Sequence, residues 1–125
     1  MLSVVNMENE IIYRKSSNPK SIDAISDSHY WSIEGTNLQF TCFDVPAGKI
    51  FPVHRHPSEQ ITYVIDGELF FRCADQVYKL MPGDCILIPG NTEHEVWTEK
   101  ESARAIDTWS PLNKLFSTKT ELLNK

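Results

Sequence analysis

The residues best suited to chemistry sit in HRHPSEQ, residues 54–60, where two of the chain's four histidines lie one residue apart. On an extended strand, residues two apart point to the same face, so His54 and His56 project together. If the strand pattern resumes after PSE, Gln60 shares their parity and Glu59 points elsewhere. Position rather than ligand strength then selects Gln60. His94 opens a later strand after GNTE, and a β-barrel can lay that strand beside the first. Three imidazoles and one amide oxygen would then line one pocket. Each residue alone has a plainer reading: a surface or hydrogen-bonded HxH pair, an ordinary polar Gln60, a His94 that caps a turn.

Around these residues the chain reads as short strands. LQFTCFDV alternates, PAGK turns, and IFPVHRH is a strand with Pro52 marking an edge or bend. QITYVIDGELFFRC is rich in β-branched and aromatic residues and breaks at Asp66-Gly67. VYKLM, CILIP, HEVWTE and ESARAIDTWS follow, separated by ADQ, PGD and GNTE. About eight strands at this spacing predict an all-β sandwich or barrel. Residues 1–37 are less informative: EIIY could be a strand, and SSNPKSIDAISDSH reads as loop. The expected division is an N-terminal segment 1–37, a barrel 38–116 and a tail 117–125, with a short helix or frayed end near the C-terminus.

The bulk numbers bound the function. A chain of 125 residues suits one domain, and 41% hydrophobic residues give one modest core. A net charge of -5 argues against a general nucleic-acid or anionic-membrane binder. No apolar run approaches the roughly 20 residues of a membrane helix, and the N-terminus reads as lacking a signal peptide. The three cysteines, Cys42, Cys73 and Cys85, form no CxxC and sit in apolar or strand-like settings. They read as reduced residues of a cytoplasmic protein.

Two motifs resemble the cupin superfamily, in particular its small single-domain (cupin_2) members. The first runs Gly48, KIFPV, His54, Arg55, His56, PSE, Gln60, ITYVID, Gly67, with Gln in a slot usually filled by Glu. The second runs Gly83, DCILI, Pro89, Gly90, Asn91, TE, His94, EVW, Thr98. Here Asn91 stands for a Gly and Thr98 for an Asn, and Asn tolerates left-handed backbone better than most residues. The resemblance implies a double-stranded β-helix, a jelly-roll barrel. It also implies a divalent transition metal held by His54, His56, Gln60 and His94, with Zn, Ni, Fe, Mn or Cu all compatible. Neutral ligands leave such an ion its full +2 charge, which favours Lewis-acid work, and take away a carboxylate that could serve as a base.

The proton carrier must then come from elsewhere. In AIDTWSP, Asp107 and Trp109 share one face. Facing the lumen, they give a carboxyl with a raised pKa and an aromatic wall; facing the other way, they give a salt-bridge partner and a core residue. The pattern HRHPSEQ, YVIDGEL, PGD and DTWSPLNKL is similar to the KdgF-type subgroup, which acts on unsaturated uronates. That resemblance implies Asp107 as acid/base and Trp109 as pocket wall. Where the subgroup carries an Arg, this chain has Asn113 with Lys114 beside it, and Lys114 could supply charge but no bidentate fork.

The expected function is a metal-dependent enzyme of carbohydrate metabolism, opening a ring, isomerising or cleaving a sugar-acid-like small molecule. A cupin dioxygenase and a non-catalytic metal- or sugar-binding cupin are the alternatives. Cupins also imply a homodimer, through EIIY or through a surface around Ile61, Tyr63 and Ile65.

Overall fold

The computed structural model describes residues 20–21 and 27–116. Ten strands fill them: β1 (Lys20–Ser21), β2 (His29–Glu34), β3 (Gln39–Val45), β4 (Ile50–His54), β5 (Glu59–Gly67), β6 (Leu69–Cys73), β7 (Gln76–Leu80), β8 (Cys85–Ile88), β9 (His94–Trp97) and β10 (Ala103–Ser110). They form two antiparallel sheets, a six-stranded one ordered β1-β2-β3-β10-β5-β8 and a four-stranded one ordered β4-β9-β6-β7. From β3 to β6, and again from β7 to β10, the chain crosses between sheets at each step. That crossing winds it into a jelly-roll barrel with every described strand antiparallel.

Alternation sets the inner surface. On β3, Gln39, Thr41, Phe43 and Val45 face inward, and on β5 Gln60, Thr62 and Val64 do the same. Register aligns these into rows across the large sheet: Gln39–Trp109–Gln60–Ile88, Thr41–Asp107–Thr62–Ile86 and Phe43–Ala105–Val64. A bulge at the Arg104/Ala105 step leaves Ile65 of β5 unpaired. The extra residue shifts the parity of β5 rather than β10, so that exposed Asp66 stands opposite Arg104 and Gly67 opposite buried Ala103.

Two clusters make the core. One is aromatic: Tyr30, Phe43, Trp109 and Phe116 with Val45, and Phe51 packed against it. The other is mainly aliphatic: Val64, Leu69, Leu80, Ile88, Ala103 and Ala105 around Phe71. Each fully buried Phe, Leu or Ile side chain contributes about 1.5–3 kcal/mol.

The large sheet begins earlier than residue 38. Strand β2 pairs with β3 from His29↔Asp44 to Glu34↔Gln39, and Lys20–Ser21 pair with β2 inside the stretch expected to be loop. Polar residues on its inner face hide the pattern of β2: the hydroxyl of Ser32 meets that of Thr41 at 3.0 Å and accepts from Gln39 at 3.2 Å. EIIY and residues 117–125 lie outside the described residues. After β10 the chain makes a 3-10 turn, Lys114–Phe116, that returns Phe116 to the core. Gln39 clasps this turn, donating to the Phe116 carbonyl at 3.1 Å and accepting from the Asn113 N–H at 2.7 Å.

The outer face of the large sheet is unusually apolar. Two rows cross it: Trp31–Cys42–Ile106–Tyr63–Cys85 and Ile33–Phe40–Thr108–Ile61–Leu87. Ile61, Tyr63 and Leu87 remain 47%, 43% and 58% exposed. Among the described residues, no helix is long and apolar enough to cross a membrane.

Candidate metal centre

His54 ends β4 and pairs across the sheet with His94, the first residue of β9. His56 lies in the loop between β4 and β5. That loop is fixed by the second motif: the Asn91 N–H donates to the His56 carbonyl at 2.7 Å. Gly90 is needed for this approach, because a Cβ there would stand 2.5 Å from the Pro57 carbonyl oxygen. Asn91 itself adopts φ 60°, the left-handed turn expected of that position. Thr98 closes the other end. Its hydroxyl donates to the Pro46 carbonyl at 2.6 Å and accepts from the Lys49 N–H at 3.0 Å, tying the PAGK turn to the strand that carries His94.

The three imidazoles converge. Ring centroids lie 4.2 Å apart for His54–His94, 4.9 Å for His56–His94 and 5.7 Å for His54–His56. Their potential ligand atoms all lie within 4.8 Å of one another. Two metal–nitrogen bonds of about 2.1 Å at tetrahedral angles set their nitrogens about 3.4 Å apart, so the trio would draw in by up to ~1.4 Å to close on one ion.

Each ring is oriented by a backbone carbonyl at Nδ1. His54 meets the Pro52 oxygen at 2.7 Å, His56 the Ser58 oxygen at 2.9 Å and His94 the Thr92 oxygen at 2.8 Å. A carbonyl only accepts, so Nδ1 carries the proton and Nε2 presents a lone pair. For His94 this lone pair is buried with no partner among the described residues, on a side chain 0% exposed. An orphan acceptor aimed at two other imidazoles is what a cation would satisfy. His56 can also be satisfied with its proton on Nε2, donating to Gln60 Oε1 at 3.0 Å while Nδ1 accepts from the Ser58 hydroxyl at 3.0 Å. Only the Nδ1–H tautomer frees it for a metal. Burial lowers the His54 pKa, helped by the charge of His56 and opposed by the Pro52 bond. Burial also lowers His94 to about 4. Both are therefore neutral and ligand-ready at pH 7.

Gln60 is held from both sides. Trp109 Nε1 donates to its Oε1 at 2.8 Å, and its Nε2 donates to the Thr62 hydroxyl at 2.9 Å. The indole can only donate, so this contact marks Oε1 as the end that faces His56. Thr62 in turn donates to Asp107 Oδ1. Glu59 is exposed and outside this network, as parity implied.

Asp107, Trp109, His54, Gln60 and Asn113 line one cavity with Phe43, Val45, Phe51, Leu69, Phe71, Val96, Ala103, Ala105 and Phe116. Its volume is about 50 Å³, counted as the space open to the centre of a water-sized sphere. Burial pushes the Asp107 carboxyl up to about 7, against the Thr62 bond, which lowers it. Lys114 is exposed and not among the lining residues; Asn113 takes that place. Among the described residues, no Lys or Arg lines the cavity. Thr62 and Gln39 are contributions that motif reading passed over, while Asn113 is the residue it noted in the slot of the subgroup's Arg. Thr62 was within reach, since it shares the parity of Gln60.

Residues 41–109 match the family of the cupin domain, Cupin_2. The chain belongs to the cupins. Among curated cupin relatives it is similar to acireductone dioxygenase from Tuber melanosporum, with 34% identity over 51% of this chain and 44% of that protein. It is also similar to dimethylsulfoniopropionate lyase DddQ from Ruegeria pomeroyi, with 32% identity over 52% of this chain and 33% of that one. The chain thus spans less than half the length of either. Among solved structures it resembles KdgF from Halomonas sp., with a TM-score of 0.71 and 21% identity over 77% of this chain and 89% of that chain. At that identity the likeness speaks to the fold alone. The metal that cupins hold fits the residues present: three convergent imidazoles, one of them with an orphaned Nε2, beside an anchored amide oxygen.

Proposed function

We propose that this cupin is a metal-dependent enzyme that moves protons on a small, oxygen-rich, sugar-acid-like molecule. Ring opening, isomerisation or lyase-type elimination are the reactions within its reach, and linearisation of an unsaturated uronate, as in the KdgF type, is the specific reading. The observation that carries the proposal is Asp107: a carboxyl whose pKa is pushed up to about 7, in the same cavity as His54 and Gln60. A group poised near neutrality is suited to both accept and return a proton.

When bound, a divalent ion supplies a Lewis acid with undiminished charge, because all four donors are neutral. His54, His56, His94 and Gln60 would hold it. Asp107 holds the transferable proton on Oδ2, since Oδ1 is occupied by the Thr62 hydroxyl. Trp109 and Phe51 form apolar wall that excludes water, and Asn113 offers an uncharged amide to a substrate hydroxyl or carbonyl. Among the described lining residues a substrate carboxylate meets no cationic side chain, so Lys114 has no part in this reading. The test is 1H NMR of an unsaturated monouronate with metal-loaded protein. Decay of the cyclic form faster than the spontaneous rate, abolished by Asp107→Asn, is expected; a rate equal to buffer with both proteins contradicts it.

A second reading, a dioxygenase, draws on the likeness to acireductone dioxygenase. Dissolved oxygen that stays constant during turnover would rule it out. The reduced, unbridged cysteines favour work in the cytoplasm. The two apolar rows on the outer sheet face favour a homodimer in which a second copy covers Ile61, Tyr63 and Leu87. Light scattering should give a dimer for the wild type and a monomer for Ile61→Lys; a monomeric wild type at micromolar concentration contradicts it.

A further inference from the structure

Thr62 is 0% exposed, is only a spacer residue of the first motif, and touches two groups of the site at once. Its single hydroxyl proton goes to Asp107 Oδ1, and its oxygen accepts from Gln60 Nε2 at 2.9 Å. Register keeps these partners in reach: Thr62 stands directly across from Asp107 and two residues along β5 from Gln60. A hydroxyl that gives its proton away can only accept at its other contact. The Gln60 amide must therefore turn its nitrogen to Thr62 and its oxygen to the histidines. Trp109 enforces the same sense from the opposite side, at 2.8 Å.

We propose that Thr62 is a positioning residue, which aims the Gln60 oxygen at the three-histidine site and leaves only Oδ2 of Asp107 for the proton. The arrangement also accounts for Gln rather than Glu at position 60. A carboxylate there has no N–H for Thr62, and would compete with Asp107 for its single proton. The inference rests on the metal-centre reading, and its test separates the two.

The probe is Co2+ binding to the full chain by titration against a chelator, in four proteins: wild type, Thr62→Val, Gln60→Ala and the double variant. Thr62→Val keeps the shape and deletes the hydroxyl. It should weaken Co2+ binding about 10–100-fold and alter the visible absorption of the bound ion, while Thr62→Ser restores both to nearly the wild-type values. In the Gln60→Ala background the same substitution should cost less than about threefold, because Thr62 acts through Gln60. An undiminished affinity in Thr62→Val, or an equal loss in both backgrounds, overturns the role of Thr62 and leaves the metal centre standing. A wild type that binds no Co2+ overturns both.

Discussion

The two ends of the barrel core are built differently. The aliphatic cluster around Phe71 and Ile88 meets its surroundings through hydrocarbon, and its main contribution is burial. The aromatic cluster reaches outward through polar atoms. Trp109 stacks on Phe116 at 5.5 Å and 2° while its indole N–H holds Gln60. Phe43 meets Trp109, Phe51 and Phe116 edge-on. Edge-to-face rings pack well at centroid separations of 4.5–7 Å. Both clusters contribute walls to the same cavity, but only the aromatic one orients its chemistry. Stability and site geometry are thus carried by different residues of one small core, and substitutions should separate them.

The largest effect is expected at the aliphatic end. Phe71→Ala should cost about 3–5 kcal/mol, read as a lower urea midpoint. The variant molecules that remain folded should still bind metal with near wild-type affinity; a large loss of affinity would mean the two ends are not separable.

At the site end, Asp107→Asn should act through pH. The folded pKa of about 7 lies above the ordinary carboxylate value of 3.8, so the native state binds more protons than the unfolded chain between those limits. Stability from this group is therefore lost as pH rises through that window. Asparagine keeps the acceptor for Thr62 and never ionises. Metal-free Asp107→Asn should gain about 2 kcal/mol over wild type on going from pH 5 to pH 8, in paired urea unfolding. A constant difference across that range would mean the carboxyl is not held in a low-dielectric wall.

Trp109→Phe is expected to have the smallest effect on stability, about 1–2 kcal/mol, because stacking on Phe116 survives while one hydrogen bond and the volume of the indole's second ring are lost. Metal affinity should fall about tenfold as Gln60 loses one of its two anchors. Equal affinity would show that Thr62 alone suffices to aim the amide.

Much of this was legible in the chain. Alternation in QITYV placed Gln60 inward and Ile61 and Tyr63 outward, and AIDTWSP put Asp107 and Trp109 on one face while leaving open whether that face was the lumen. Asn91 was read as a left-handed turn position, and it adopts that conformation. What stayed hidden depends on contacts between distant segments. β2 buries hydroxyls as well as rings, so its pattern does not read as a strand. The clasp by Gln39 on residues 113–116 spans more than seventy positions, and it decides that Asn113 rather than Lys114 reaches the cavity. Neighbouring residues in a short turn point in different directions, and composition carries no sign of which one turns inward.

The central claim is that His54, His56 and His94, with Gln60, form a metal site. Elemental analysis of purified wild type beside His94→Ala tests it most directly, with circular dichroism to verify that both are folded. The account predicts about one transition-metal ion per wild-type chain and none in the folded variant, since His94 is the buried ligand whose Nε2 has no other partner among the described residues. Wild-type protein that holds no ion after reloading with divalent metals, or a folded variant that retains it, would contradict the claim.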